Sequence, residues 1–79
     1  MTELTLFHRR GCHLCDDMRD ALRAFQPDWG FALREVDIDA DAELRTRFNT
    51  LVPVLCLGDR EICRYHLNPS ALKQALEAG

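Results

Sequence analysis

Leu4-Thr5-Leu6-Phe7, then His8-Arg9-Arg10-Gly11, then Cys12-His13-Leu14-Cys15: an apolar strand, a turn, and two thiols opening an amphipathic helix. Positions i and i+3 share a helix face, so Cys12 and Cys15 can form and break a local disulfide. A cysteine in the first helical turn also meets unpaired backbone N–H groups and the positive end of the helix dipole. Both favour thiolate, the species that attacks disulfides. This junction therefore points to redox chemistry and to a fold that starts β-α-β.

Working outward, Leu4 to Phe7 is continuously apolar, as a central strand covered on both faces would be. After the cysteines, Leu14, Met18, Ala21, Leu22 and Phe25 recur at helical spacing, and Gln26-Pro27-Asp28-Trp29-Gly30 is expected to stop that helix. Phe31 to Ile38 reads as a second strand, its Arg34, Glu35 and Asp37 suiting an edge or partly exposed position. Asp39 is expected to cap a short helix from Ala40 to Phe48. Val52 to Leu57 forms a third strand, Gly58-Asp59 a hairpin turn, and Arg60 to Tyr65 a fourth strand. Asn68-Pro69 then opens the last helix, with Ala71, Leu72, Ala75 and Leu76 as its buried stripe. The expected architecture is α/β: one mixed four-stranded sheet in the order β-α-β-α-β-β-α, with three helices on its two faces. Residues 1–79 form a single domain without repeats or linkers.

Bulk composition agrees. The chain has 79 residues, 47% hydrophobic and 29% charged, enough apolar content for a real core. A net charge of −3 with scattered basic residues offers no nucleic-acid or membrane surface. No apolar run is long enough to span a bilayer, and the N-terminus has no basic start or apolar core of a secretory signal. A monomer in the reducing cytoplasm is the expectation. A two-disulfide scaffold fits poorly, because Cys12 and Cys15 are too close together to staple distant parts.

With Cys12-His13-Leu14-Cys15 at the first strand-helix junction, Val52-Pro53 opening the third strand and a glycine-turn hairpin after it, the chain resembles the thioredoxin superfamily. More narrowly, it resembles the small glutaredoxin-like branch. The resemblance spans almost the whole chain, including Glu35-Val36-Asp37-Ile38-Asp39 and Glu43-Leu44-Arg45. It implies a cis peptide bond at Pro53, set against the cysteines, with the Val52 backbone free to pair with an extended peptide or glutathione. It also implies that Arg9 stands where glutaredoxins carry a basic residue for a glutathione carboxylate. One departure is visible. Where these proteins usually have a Gly-Gly pair and an acidic anchor, this chain reads Cys63-Arg64-Tyr65-His66-Leu67.

The expected activity is thiol–disulfide oxidoreduction, with Cys12 as nucleophile and Cys15 as resolving thiol. Arg9, His13, Val52 and Pro53 contact the substrate. His13 can steady the Cys12 thiolate; Arg9 and Arg10 add positive potential just before the site, Arg10 reading equally well as a solvated loop arginine, and Asp16 and Asp17 read as helix-start residues. No metal or organic cofactor is required, and glutathione is a candidate co-substrate. The partners implied are a protein disulfide or glutathione mixed disulfide, and a reductant, either glutathione or a reductase. Two alternatives stay open: a zinc or iron–sulfur module using Cys12, Cys15 and His13 or Cys63, and a redox-inactive peptide-binding domain. Cys56 and Cys63 flank the hairpin turn. A regular two-residue loop would set Cys63 opposite Val54 and leave both thiols on one sheet face, diagonal to each other. Buried free thiols are the default for them. His8 and His66 have no spacing that implies ligands.

Overall fold

The computed structural model describes residues 2–78. β1 (Thr2–His8) lies inside a sheet ordered β2-β1-β3-β4, flanked by β2 (Phe31–Asp37) and β3 (Val54–Leu57), with β4 (Arg60–Arg64) at the far edge. β1 runs parallel to β2, from Thr2 opposite Phe31 to His8 opposite Asp37, and antiparallel to β3. The apolar run takes the interior position that continuous hydrophobicity demands, and β2, with Arg34 and Glu35 exposed, takes an edge.

Side chains alternate across β1 and β3 and sort the core into two layers. Leu4, Leu6 and Leu55 pack with Met18 and Leu22 of α1 (His13–Trp29) and with Leu72 of α3 (Pro69–Ala78). On the other face, Val54 and Cys56 pack with Ile38 and with Phe48 of α2 (Ala42–Phe48), Phe7 lying against them. Two helices thus cover one face and one the other. The first turn of α1 reaches round the sheet end, so Cys15 belongs to the α2-side layer.

Several boundaries differ from expectation. α1 continues through Pro27 to Trp29, because a proline in the last turn forfeits only one backbone bond. Gly30, in the left-handed region at φ 60°, stops it by donating its N–H to the Gln26 carbonyl at 2.9 Å. The extra turn stacks Trp29 on Phe25 with ring centroids 4.3 Å apart. Second, β2 ends at Asp37, because Ile38 turns into the core as the first residue of a 3-10 turn, Ile38–Ala40. Third, α2 is capped by Asp41 rather than Asp39: Asp41 Oδ1 accepts from the N–H groups of Glu43 (2.9 Å) and Leu44 (3.4 Å). Asp39 sits inside the 3-10 turn, its N–H donating to Asp37 Oδ1 at 2.9 Å. Fourth, β3 begins at Val54 and β4 ends at Arg64, since Tyr65 at φ 67° leaves the extended region. As foreseen, Asn68 caps α3, its Oδ1 accepting from the Ala71 N–H at 3.1 Å.

A β-bulge overturns the expected register of the hairpin. Leu57 faces Arg60 and Cys56 faces Glu61, but Leu55 then faces Cys63, leaving Ile62 as the extra residue. Ile62 and Cys63 both turn toward the layer under α1 and α3, while Cys56 points the other way. The two thiols are on opposite sheet faces, not diagonal on one. Among the described residues, no helix is long and apolar enough to cross a membrane.

Candidate active site

β1 and β2 end, and β3 begins, at the same edge of the sheet, so three loops converge there: 9–12, 38–41 and 49–53. Cys12 is the N-cap residue of α1, with φ −95° and ψ 108°. Its Sγ accepts the Cys15 backbone N–H at 3.0 Å, the place a serine or aspartate oxygen normally takes. Gly11 before it, at φ 78°, lets the loop turn into the helix.

Cys12 and Cys15 are joined as a disulfide with Cα atoms 5.1 Å apart. Their surroundings differ sharply. Cys12 is half-buried, whereas Cys15 is only 2% exposed. An attacker from solvent therefore meets Cys12 first. His13 and Arg10 are exposed beside it.

The Val52–Pro53 peptide bond is cis, both residues are buried, and Val52 shares the packed cluster that holds Cys15. The Pro53 carbonyl accepts the Tyr65 N–H at 2.9 Å, which fastens the loop after β4 to the proline. Tyr65 is the only large hydrophobic side chain exposed among the described residues, at 38%. Its φ of 67° lies in the left-handed region, in the segment where the resemblance leads to the expectation of a Gly-Gly pair. Arg64 beside it is held by Glu61 through bonds of 2.8 and 2.6 Å. That pairing holds the Glu61 carboxyl below its usual range and raises the already high value of Arg64.

Arg9 points elsewhere than into open solvent. Its Nε and Nη2 donate to the two carboxylate oxygens of Asp39 at 3.1 and 2.9 Å, and Nη1 donates to Asn49 Oδ1 at 3.3 Å. Sequence reasoning missed Asp39 and Asn49 as members of this region. They lie 30 and 40 positions from Arg9, and Asp39 carried an adequate local explanation as a helix cap. Only the folding of three loops to one sheet end brings them together.

The remaining thiols stand apart from the disulfide. Cys56 is buried, and desolvation is the main cause of its raised pKa, with the Glu61 carboxylate adding to it. Burial likewise raises Cys63, partly offset by a hydrogen bond from the Asn68 backbone. Neither has the environment of an activated nucleophile. No group of three or more His, Cys, Asp or Glu side chains among the described residues converges as a metal site.

A four-stranded mixed sheet with a dithiol at the first strand-helix junction and a buried cis-proline loop beside it defines a thioredoxin-fold protein. The glutaredoxin-like domain family (DUF836) matches residues 3–77, and the chain belongs to that family. The solution structure of protein Ne2328 from Nitrosomonas europaea is 34% identical, covers 94% of this chain and 89% of its own, and superposes with TM-score 0.82. The X-ray structure of a protein from X. campestris is 35% identical over 96% of this chain and 97% of its own, with TM-score 0.70. Oxidised mitochondrial thioredoxin 3 from Saccharomyces cerevisiae, at 20% identity and TM-score 0.69 over 99% of this chain and 78% of its own, shares the fold. No curated protein matches the chain in sequence.

Proposed function

We propose that the protein is a thiol–disulfide oxidoreductase acting through Cys12 and Cys15. The observation that carries this reading is the asymmetry of the pair: one sulfur half-exposed at a helix N-cap, the other buried one turn in and already within disulfide reach. The Cys12 thiolate attacks one sulfur of a substrate disulfide. The other sulfur leaves as a thiolate and takes a proton from solvent, leaving a mixed disulfide. The Cys15 thiolate then attacks Cys12 Sγ, expels the second substrate thiolate and closes the Cys12–Cys15 bond. Two electrons have passed from the dithiol to the substrate. The N-terminal backbone dipole and the donated Cys15 N–H both stabilise sulfur anion at Cys12.

Docking of the substrate falls to the surface around Val52, Pro53, His13 and Tyr65. Tyr65 replaces the small surface of a glutathione pocket, which favours protein disulfides over glutathione mixed disulfides as substrates. Reduction of the oxidised pair takes two equivalents of a thiol such as glutathione, or a reductase, and a monomer in a reducing compartment such as the cytoplasm suits this cycle. Insulin reduction, driven in turn by glutathione with its reductase and by a thioredoxin-reductase system, tests the proposal. Turnover with at least one system, lost in Cys12→Ser, is the expected result. No turnover with either, together with an ordinary Cys12 thiol titration, overturns it.

A further inference from the structure

Building on the oxidoreductase reading, we infer that Arg9 is a positioning residue that sets the Cys12 loop against the Val52–Pro53 loop, and not a site for a substrate carboxylate. Arg9 leaves β1 three residues before Cys12 and reaches both other loops at this end of the sheet. Asp39 lies in the turn after β2, itself fixed by its N–H on Asp37 Oδ1. Asn49 follows α2 and sits three residues before Val52 in sequence. One guanidinium thus joins all three segments, with a bidentate fork on Asp39 and a single bond to Asn49.

Charge decides between the two roles. A free guanidinium near Cys12 would draw an anionic substrate. Here a carboxylate 2.9 Å away cancels its charge locally, and the planar fork that would clasp a second carboxylate already clasps one. What remains is mechanical. The substrate has to reach Cys12 and the backbone at Val52 together, so the separation of these two segments, the second of them following the 3-10 turn Asn49–Leu51, must be held.

Asp39→Asn is the discriminating variant, because it leaves Arg9 and its charge in place while removing the ionic half of the fork. Exchange rates of the reduced protein are measured with uncharged hydroxyethyl disulfide and with anionic glutathione disulfide. Positioning predicts that Asp39→Asn and Arg9→Gln each slow both disulfides alike, by about tenfold or more. The double variant is then no slower than either single one. Arg9→Lys does not rescue, since an ammonium cannot span Asp39 and Asn49. Asn49→Gly, which keeps the positive φ of 35° comfortable, gives a smaller loss of the same kind. If Arg9→Gln slows glutathione disulfide alone, and Asp39→Asn leaves it unchanged or faster, the inference is overturned in favour of anion binding. If the unmodified protein exchanges with neither disulfide, the oxidoreductase reading falls instead. The positioning claim is then judged by amide hydrogen exchange in Asp39→Asn. Faster exchange at both 10–12 and 49–52 upholds it, and unchanged exchange at either segment overturns it.

Discussion

At the scale of single residues, Cys12 has two roles that substitution can separate. As an N-cap its sulfur accepts the Cys15 N–H, and as a thiol it is the proposed attacker. Serine retains an acceptor for that N–H; alanine does not. Cys12→Ser and Cys12→Ala are therefore equally inactive, but the alanine variant unfolds with about 1 kcal/mol less stability in urea titrations. Equal stabilities would mean that a side-chain acceptor at position 12 does not cap the helix. Cys56 and Cys63 give a second prediction, from their raised pKa values. The folded chain holds these thiol protons to higher pH than the unfolded chain does. Their contribution to stability is thus complete below the ordinary thiol value of 9.0 and falls as pH rises through it toward the folded values. Urea titrations of the oxidised protein either side of that value should show a loss that is smaller in the Cys56→Ala/Cys63→Ala double variant. A loss of the same size in both would sink the assignment.

At the scale of elements, the helix α1 shows both what patterning reveals and what it hides. The Leu14-Met18-Ala21-Leu22-Phe25 stripe identifies the helix from spacing alone, and its Met18, Leu22 and Phe25 enter the core, while in the first turn the buried residue is Cys15. The helix's stop signal covers Gln26-Pro27-Asp28-Trp29-Gly30 as a whole, and the structure puts the end at the last residue of that stretch. A proline is costly in a helix interior but tolerable where the next carbonyls are about to go free, whereas the left-handed Gly30 ends the ladder outright. A Cβ added at Gly30 would meet nothing within 4 Å, so Gly30→Ala carries only the backbone cost of φ 60°. Chemical denaturation should show a loss of about 1 kcal/mol, smaller for Gly30→Asn, which tolerates that conformation. The Asp39 and Asp41 caps lie two positions apart, with either able to start a helix locally, and the choice falls to Ile38, which enters the core only if the turn intervenes. The bulge at Ile62 is likewise a tertiary choice. It places both Ile62 and Cys63 against the α1–α3 layer, at the cost of the regular register that the Gly58-Asp59 turn alone suggests.

At the scale of the molecule, the order of elements along the chain, the parallel crossover and the place of the dithiol were legible because each rests on strong local patterning. The Arg9–Asp39–Asn49 contacts were not, because they join segments that only the finished sheet brings together. The same dependence makes the centre of the sheet the weak point of so short a chain. Leu55 is completely buried on β3, next to Leu6 of β1, and lies in the layer filled by Met18, Leu22 and Leu72. It therefore touches the packing of both helices on that face. Truncating such a leucine costs about 2–5 kcal/mol, because the surrounding helices cannot fully collapse on the void. A domain of this size has stability near the lower end of about 5–15 kcal/mol. Leu55→Ala should accordingly lower Tm by at least about 8 °C. Tyr65→Ala, a larger truncation at an exposed position with the same backbone conformation, should move it far less. Because Pro53 and Val54 precede Leu55 directly, thermal scans followed by disulfide exchange should show Leu55→Ala losing activity only where it unfolds if Leu55 acts through the core alone. A Leu55→Ala protein that stays folded yet exchanges slowly would instead show that the α1–α3 layer holds the Val52–Pro53 loop in place.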